Sequence, residues 1–551
     1  MSAIITETFR RNNAKLFLGD ITTGTNKYYV GLGKSEAWPT IGGVAETSSN
    51  YNVPLPTGTA ADRIQTLNNL TSLLRVETTR SGLVIPNNLL KTGRSFKAYS
   101  PYDINSFYPT GTGTITYPCY LNNGSHIYIC LRAGASYATT LPANTTYGIE
   151  TTADGYTWAY VAPLIAGANA FNTEQFIQIS SDKLTGTPKT NALNATGGRL
   201  FGYTVVNGGT GYVKANTRIY LRGTTSAGVD VNLNLNPSTP GVADSYTTFN
   251  TGTGTITSIN LPASIANWPT QNLKNASIEI TNLSGGVGTG AVALPNIAPP
   301  DGFGYSPSED LPTWYVGLGV SASGDISGDG FYIPYRQITV LKNPTIVGNV
   351  TFADAGDSVT LLSHGFTAGE QIEFSTIVNT TGISTNTTYY VVNTSADTFQ
   401  VATSPSGSAL TLTNNGYGTL KYITSLPANA RALQYFQLTS ALTGVTDVTG
   451  LKITDASTTP AIPYGFADYY DSTTRRLYFH QNFESSFSLI NASGQFKIVS
   501  SGGTPSSAIN YSGISSGEYV TNTGELIFTE NRKSIARASA QTEEIKIVIQ
   551  F

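Results

Sequence analysis

The chain has 551 residues and a mass of 58.3 kDa, a length that fits about three to four domains. Hydrophobic residues make up 40% and aromatics 11%, enough to bury real cores, so a disordered chain is excluded. Charged residues are only 12%, against about 25% in an average domain, and the net charge is −3, so nothing electrostatic draws the chain to nucleic acid or to an anionic membrane.

Further classes drop out on single residue types. No apolar run approaches the roughly 18 residues of a transmembrane helix. The first residues, Met1-Ser2-Ala3-Ile4-Ile5-Thr6-Glu7, show no basic stretch followed by an apolar one, so no secretory signal is expected. The chain has three histidines (His126, His364 and His480), two cysteines and one methionine. Zinc sites and Cys- or His-based triads need more of these residues, or tighter clustering. Abundant Thr, Ser, Asn and Gly with few Lys and Glu is a composition of strands and tight turns.

Two stretches read as helix. In the first, Thr8 to Gly19, Phe9, Asn13, Leu16 and Phe17 share one face, and Gly19 is a plausible stop. In the second, Ala61 to Val76, Ile64, Leu67, Leu70, Leu73 and Leu74 recur at helical spacing. Between and after them, short β-like runs are separated by Gly, Asn, Pro and Ser clusters. Tyr117 to Leu121 and His126 to Leu131 flank Asn122-Asn123-Gly124-Ser125, which predicts a hairpin on an Asn-Gly turn. That register pairs Leu121 with His126 and Cys119 with Tyr128. It places Cys119 and Cys130 on one face as diagonal neighbours about 7–8 Å apart, too far for an unstrained disulfide. Two free thiols and a reducing compartment follow. Residues 200–300 and 346–423 read as added β modules, the second containing Ser363-His364-Gly365-Phe366, Tyr389-Tyr390-Val391-Val392 and Phe399-Gln400-Val401.

Candidate chemistry is thin. Gly285-Gly286-Val287-Gly288-Thr289-Gly290 lacks the Lys-Ser or Lys-Thr pair of a phosphate-binding loop, and no helical pattern opens after it. Glu543-Glu544, Glu36 with Asp103, and Asp468 with Asp471 are carboxylate pairs by residue type only; glycosidic cleavage needs them at defined separation. His364 sits in a His-Gly-Phe turn and His480 ends Leu477-Tyr478-Phe479-His480, neither with a second His at metal-ligand spacing. No catalytic residue, cofactor site or metal site is expected. The 32 tyrosines suit strands, protein interfaces or sugar stacking.

The two termini and three internal stretches carry a resemblance. The N-terminus has Phe9-Arg10-Arg11-Asn12-Asn13-Ala14-Lys15, then Tyr29-Val30-Gly31-Leu32-Gly33-Lys34-Ser35-Glu36-Ala37-Trp38. Internally there are Asp154-Gly155-Tyr156-Thr157-Trp158, then Pro299-Pro300-Asp301-Gly302-Phe303-Gly304, and Tyr335-Arg336-Gln337-Ile338-Thr339-Val340-Leu341-Lys342-Asn343-Pro344. The C-terminus has Gly524-Glu525-Leu526-Ile527-Phe528-Thr529-Glu530-Asn531-Arg532, Arg537, and Gln541-Thr542-Glu543-Glu544-Ile545-Lys546-Ile547. In this order they resemble the small homodimeric baseplate wedge subunit of contractile-tailed bacteriophages. The match covers about half the chain, roughly 1–165, 300–345 and 505–551. One departure is that Asn87-Asn88-Leu89 follows Val84-Ile85-Pro86, where the family often has basic residues and a Trp.

The resemblance implies a structural protein of the virion tail, made and assembled in the host cytoplasm, and not an enzyme. It would form a homodimer, bridge neighbouring wedge proteins, contact tail-fibre or spike proteins, and take part in the rearrangement that triggers sheath contraction. Neither nucleic acid nor membrane insertion is expected. The expected fold is mainly β and multi-domain: an α+β core with a few short helices, assembled from discontinuous segments, with small sandwich- or barrel-like β domains inserted. The expected segments are 1–165 (core), 166–299 (inserted), 300–345 (core), 346–423 (inserted), 424–504 (a further β domain) and 505–551 (core strands). Glu525–Phe528 and Ile545–Ile549 are expected to pair antiparallel around an Asn531-Arg532 loop. Arg10, Gly33, Ser35, Glu36, Trp38, Asp154, Gly155, Trp158, Arg336, Gln337, Asn343, Pro344, Glu530, Asn531, Arg532, Arg537, Gln541, Thr542 and Glu543 are the motif residues, with structural roles. Two other readings stand beside this one: a receptor- or carbohydrate-binding tail protein, and a polysaccharide-degrading tail enzyme.

Overall fold

A computed structural model describes residues 6–24, 26–38, 53–91, 93–111, 115–167, 169–235, 247–250, 254–261, 272–283, 285–323, 333–362, 364–422, 429–445, 447–456, 463–481, 494–500, 502–535 and 542–551. The fold is mainly β and multi-domain, with two closed six-stranded barrels and several smaller sheets. The chain divides into two units. The first comprises Met1–Leu18, Ser81–Gly317 and Val548–Phe551; the second comprises Gly19–Arg80 and Leu318–Ile547. Among the described residues no helix is long and apolar enough to cross a membrane.

The first unit is built around a four-stranded sheet in the order Tyr120–Asn122, His126–Arg132, Thr157–Pro163, Ile149–Thr151. Alternation along its strands feeds two cores. Tyr120, Ile127, Ile129, Leu131, Ala159 and Val161 face one, and Leu121, Tyr128, Cys130, Trp158 and Tyr160 face the other. The hairpin register differs from the expected one: Leu121 pairs with Tyr128 and Asn122 with Ile127. The reason is local. The Asn123 carboxamide accepts the Ser125 and His126 N–H groups at 3.0 and 2.8 Å, and the Asn123 N–H bonds the His126 carbonyl at 3.0 Å, so the turn falls on Gly124 and Ser125 in place of Asn123 and Gly124. Of the two expected turn residues only Gly124 has a positive φ, 99°. The Cys130 N–H bonds the Cys119 carbonyl at 2.7 Å, yet Cys119 packs into one core and Cys130 into the other, both as free, buried thiols. Burial pushes the Cys119 thiol up to about 12.

Residues 200–300 of this unit form a ribbon, Leu200–Thr210 with Thr289–Ile297, and a three-stranded sheet in the order Asp230–Asn234, Thr217–Thr225, Leu273–Asn282. A helix at Gly186–Thr196 was not expected; it buries only Ala192 and Thr196, so it carries no apolar stripe to read.

The first predicted helix spans Glu7–Thr22 and runs through Gly19. Its buried positions include Ala14 and Leu18, while Phe9 and Leu16 are 55% and 72% exposed, so the expected apolar face was the wrong one. The second predicted helix is corrected more deeply: it ends at Asn68, and Leu70–Arg75 is a strand. Leu70, Leu73 and Leu74 are all buried there, because the strand is covered on both faces. A strand buried on both sides loses its alternation, and its leucines then fit helical spacing as well. Thr59 caps the short helix by accepting the Asp62 N–H.

The second unit has a five-stranded antiparallel sheet in the order Asn429–Arg431, Leu70–Arg75, Tyr28–Gly33, Tyr335–Lys342, Glu525–Ile535. Gly31 lies where a Cβ would stand 2.5 Å from Thr339 Oγ1 and 2.6 Å from a Leu70 methyl, so only glycine fits. Six strands between Ile346 and Tyr422 close the first barrel. His364 belongs to its core: Nδ1 accepts the Phe366 N–H at 3.0 Å, and the ring packs on Phe366 and Phe399. Burial holds its pKa below the usual value. The second barrel is formed by Gln434–Leu438, Arg476–His480, Pro463–Asp471, Lys452–Asp455, Gly494–Val499 and Ile509–Ser515. The expected pairing of the two C-terminal strands does not occur. Glu525–Ile535 pairs with Tyr335–Lys342, and Thr542–Gln550 lies in a different sheet, beside Tyr315–Ser323. Asn531 and Arg532 lie within a strand and not in a loop.

Asp310 gives a test of the first unit. Its carboxyl is buried and accepts the Gly304 N–H at 2.7 Å. Burial, opposed by that bond and by the Arg11 guanidinium, raises its pKa from the usual 3.8 to about 7. The folded state therefore holds a proton that the unfolded chain releases, and stability falls as pH rises from about 4 to about 7. Asp310→Asn is expected to flatten that slope in thermal melts followed over this pH range; a slope unchanged from the parent chain counts against a neutral Asp310.

Candidate functional site

The site is built on the segment that leaves the Tyr28–Gly33 strand. Gly33 sits at an irregularity in the pairing with Leu70, and the next residue, Lys34, has a φ of 57°. A non-glycine residue held in the left-handed region persists only where its surroundings fix it. Here the Lys34 N–H bonds the Asn69 carbonyl at 2.9 Å, and its ammonium lies 5.0 Å from the Trp38 ring centroid. This bend turns Ser35 inward, where it is 2% exposed.

Ser35 Oγ donates to Asp468 Oδ1, and the Ser35 carbonyl accepts from the Arg336 guanidinium. Asp468 is 1% exposed. Its carboxylate also takes His480 Nδ1, at 3.0 and 2.9 Å from its two oxygens. The other imidazole nitrogen, Nε2, stands 3.5 Å from Glu36 Oε1, an ion-pair distance beyond hydrogen-bond geometry. Glu36 Oε2 stands 3.8 Å from Lys34 Nζ. The imidazole thus lies between two carboxylates. Burial pulls its pKa down, but Asp468, through charge and hydrogen bond, and then Glu36 outweigh burial and the opposing Lys34, so His480 holds its proton above the usual range. The His480 ring also stacks on Phe466 and edges a cavity of about 180 Å³.

A second contact set adjoins the first through Trp38 and Gln337. Trp38 Nε1 donates to the Arg532 carbonyl at 2.8 Å, Gln337 Nε2 donates to Asn531 Oδ1 at 2.7 Å, and Asn531 Nδ2 donates to the Pro54 carbonyl at 2.9 Å. Lys34, Trp38, Gln337 and Asn531 edge a cavity of about 200 Å³.

Of the motif residues named from the sequence, Gly33, Ser35, Glu36, Trp38, Arg336, Gln337, Asn531 and Arg532 come together here. Glu530 lies in the same strand opposite Ile338, its side chain exposed. Asn343 and Pro344 form a turn elsewhere in the second unit. Asn343 has a φ of 50° and accepts the Lys27 N–H at 2.8 Å. Glu543 is buried in the Thr542–Gln550 strand, while the Thr542 side chain, Arg537 and Gln541 lie outside the described residues.

Arg10, Asp154, Gly155 and Trp158 belong to the first unit. Arg10 Nη1 reaches the Tyr108 hydroxyl at 3.4 Å. Asp154 organises a loop: it accepts the Thr139 and Thr140 N–H groups at 2.6 and 2.9 Å and the Thr152 hydroxyl at 2.5 Å. Burial raises its pKa, but these donors outweigh it, so the pKa lies below the usual range. Gly155 supplies a φ of 84°, and Trp158 stacks on Tyr156 inside the core.

The carboxylate pairs considered from the sequence have separate roles. Asp103 caps the Ile104–Phe107 turn, Asp471 accepts the Thr473 N–H, and Glu544 pairs with Arg80 and Lys546. Among the described residues no group of three or more His, Cys, Asp or Glu is placed to hold a metal ion. Sequence reasoning missed the Asp468–His480 contact. The two strands pair Ala467 with Phe479 and Tyr469 with Tyr478, leaving Asp468 as the extra residue of a bulge. A bulge re-aims the side chain, and strand alternation does not reveal it.

The order of groups also limits the chemistry. An activated serine needs the imidazole between hydroxyl and carboxylate. Here the carboxylate lies between Ser35 and His480, and the far imidazole nitrogen faces Glu36, so the arrangement is an ionic clasp rather than a nucleophile and its base. No protein-family model and no curated protein matches the chain.

Removing one partner of a buried charge pair leaves the other uncompensated and costs about 3–5 kcal/mol. Asp468→Ala is therefore expected to destabilise the second unit by that order in denaturant unfolding, and Ser35→Ala, which removes one hydrogen bond, by about 1–3 kcal/mol. Equal and negligible losses in both variants would refute the clasp as a stabilising contact.

Proposed function

We propose that the chain is a structural subunit of the tail baseplate wedge of a contractile-tailed bacteriophage. In this reading it bridges neighbouring wedge proteins as a homodimer and takes part in the rearrangement that triggers sheath contraction. The observation that carries the reading is the convergence of its motif residues. Ser35, Glu36 and Trp38 come from one end of the sequence, Arg336 and Gln337 from the middle, and Asn531 and Arg532 from the other end. They meet in one set of contacts, bonded to each other and to the second barrel. That is a use of polar residues to fix the relative positions of structural elements. Low charge and high tyrosine content suit a surface that spends its life in permanent contacts.

The test is quantitative mass spectrometry of purified virions of the phage that encodes the chain, with electron microscopy of virions lacking its gene. Expected are the chain in the tail fraction and particles without complete baseplates. Light scattering of the purified protein should give twice the 58.3 kDa chain mass. Absence from the virion overturns the proposal. A mass three times that of the chain, with binding to host glycans, replaces it with a receptor-binding tail protein.

A further inference from the structure

The short helix Ala60–Asn68 turns a polar stripe inward. Asp62, Gln65, Thr66 and Asn69 recur at three and four residues, so they share one face. A helix packed on a sheet normally buries an apolar stripe and leaves its polar side to solvent. Here Thr66 and Asn69 are buried while Ile64 is exposed. The polar stripe edges the cavity of about 200 Å³ beside Lys34 and Trp38, and Gln337 and Asn531 of two sheet strands edge it as well.

Gln337 is 3% exposed. Its amide nitrogen is spent on Asn531, but its Oε1 is buried and has no hydrogen-bond partner among the described residues. Buried amide oxygens are normally paired, so this one calls for a donor from outside the chain. The side-chain amides of Gln65 and Asn69 make no hydrogen bond to another described residue either. The charges around the cavity are one ammonium and one carboxylate. Lys34 stands 3.8 Å from Glu36, and Asp62 takes the Thr57 and Gly58 N–H groups on one oxygen at 2.7 and 3.0 Å. We propose that this cavity is a binding site for a single neutral sugar ring. The proposal goes beyond the wedge reading and is independent of it.

The ligand class follows from the lining by exclusion. An apolar molecule would leave Gln337 Oε1 and the two amides desolvated without partners. An anion would face Asp62 with only Lys34 to hold it, and Lys34 already serves Glu36; a cation would meet Lys34. What remains is a neutral molecule that donates and accepts on every side. Adjacent hydroxyl groups do both, and a carboxamide offers an acceptor and two donors in one plane, which matches a pair of them. Gln65 and Asn69 supply such amides from the helix, and Gln337 Oε1 accepts from the opposite wall. Volume sets the size. About 200 Å³ is well beyond the roughly 10–15 Å³ that admits one water, and below the roughly 300–1,000 Å³ of sites for drug-sized molecules, which leaves room for one small ring. Leu55 and Thr57, both exposed, stand at the rim and give the cavity a face to solvent.

The experiment is saturation-transfer NMR on the full chain with glucose, galactose, mannose and N-acetylglucosamine as free monosaccharides. Glycine and acetate serve as the zwitterionic and anionic comparisons. Ring-proton signals are expected from at least one sugar, with a dissociation constant on the order of 1–10 mM, and none from glycine or acetate. Gln65→Leu removes an amide that makes no bond to another described residue, so the fold is expected to survive and sugar binding to weaken by about tenfold. Gln337→Leu is expected to abolish the signal. Thermal melts show whether each variant is folded, and should Gln337→Leu unfold, Gln65→Leu decides alone. Silence from all four sugars means that the cavity holds water only and overturns the proposal. A sugar signal that the folded variants leave unchanged also overturns it, because the sugar then binds elsewhere. Signals from glycine or acetate in place of the sugars overturn the ligand class. None of these outcomes bears on the virion test of the wedge reading.

Discussion

The second unit depends on one carboxylate that has no water to turn to. Asp468 is 1% exposed, and an ion in such a place is tolerated only when fully partnered. Its two oxygens are satisfied by a serine hydroxyl and an imidazole. Those partners bring their own demands. Ser35 reaches the carboxylate only because Lys34 takes a left-handed turn, and that turn is held by the Asn69 carbonyl at the end of the short Ala60–Asn68 helix. His480 in turn needs Glu36, and Glu36 needs Lys34. One buried charge thus fixes the helix end, the segment after the Tyr28–Gly33 strand and the face of the second barrel in a single geometry.

Much of the architecture was legible in the sequence, and what was not has specific causes. The mainly β fold follows from composition and from runs of β-formers between turn residues. The errors fall where two patterns coincide or where a side chain rewrites a turn. Leu70, Leu73 and Leu74 fit a helix and a doubly covered strand equally well. The Asn123 carboxamide shifted the hairpin register by capping two N–H groups. In the site, Ser35, Glu36, Trp38, Arg336, Gln337, Asn531 and Arg532 were named as motif residues. Asp468 was noted only as a carboxylate, and His480 only as a histidine without a second histidine nearby. That observation was sound for metal binding, but it does not address a partner 12 residues away across a bulged hairpin or a glutamate at the other end of the chain.

Two other aspartates show why burial alone does not set the charge of a group. Asp154 and Asp310 both feel desolvation as the largest influence. Asp154 receives backbone N–H groups from Thr139 and Thr140 and a hydroxyl from Thr152, and its pKa falls. Asp310 receives one N–H from Gly304, with Arg11 engaged on the Glu7 carboxylate, on the Leu311 carbonyl and beside the Phe107 and Trp314 rings, and its pKa rises. The number of donors decides the sign. Asp154 can therefore shape a loop as an anion, while Asp310 keeps its proton to well above the usual carboxylate range.

The charged cluster stands beside an apolar one, in which Ile333, just before the Tyr335–Lys342 strand, packs with Leu433 and Tyr478 of the barrel side. Buried ion pairs add little net stability over well-packed hydrophobic residues, because desolvation offsets much of their attraction. What they add is a requirement for one arrangement: Asp468 accepts no other face of the sheet, since elsewhere it would be buried without Ser35, and His480 would lose Glu36. An apolar contact between the same elements would tolerate sliding. The barrel is already tied to the sheet by the chain itself and by the bonds between Arg431 and Glu518. The attachment made of charges therefore serves orientation more than adhesion.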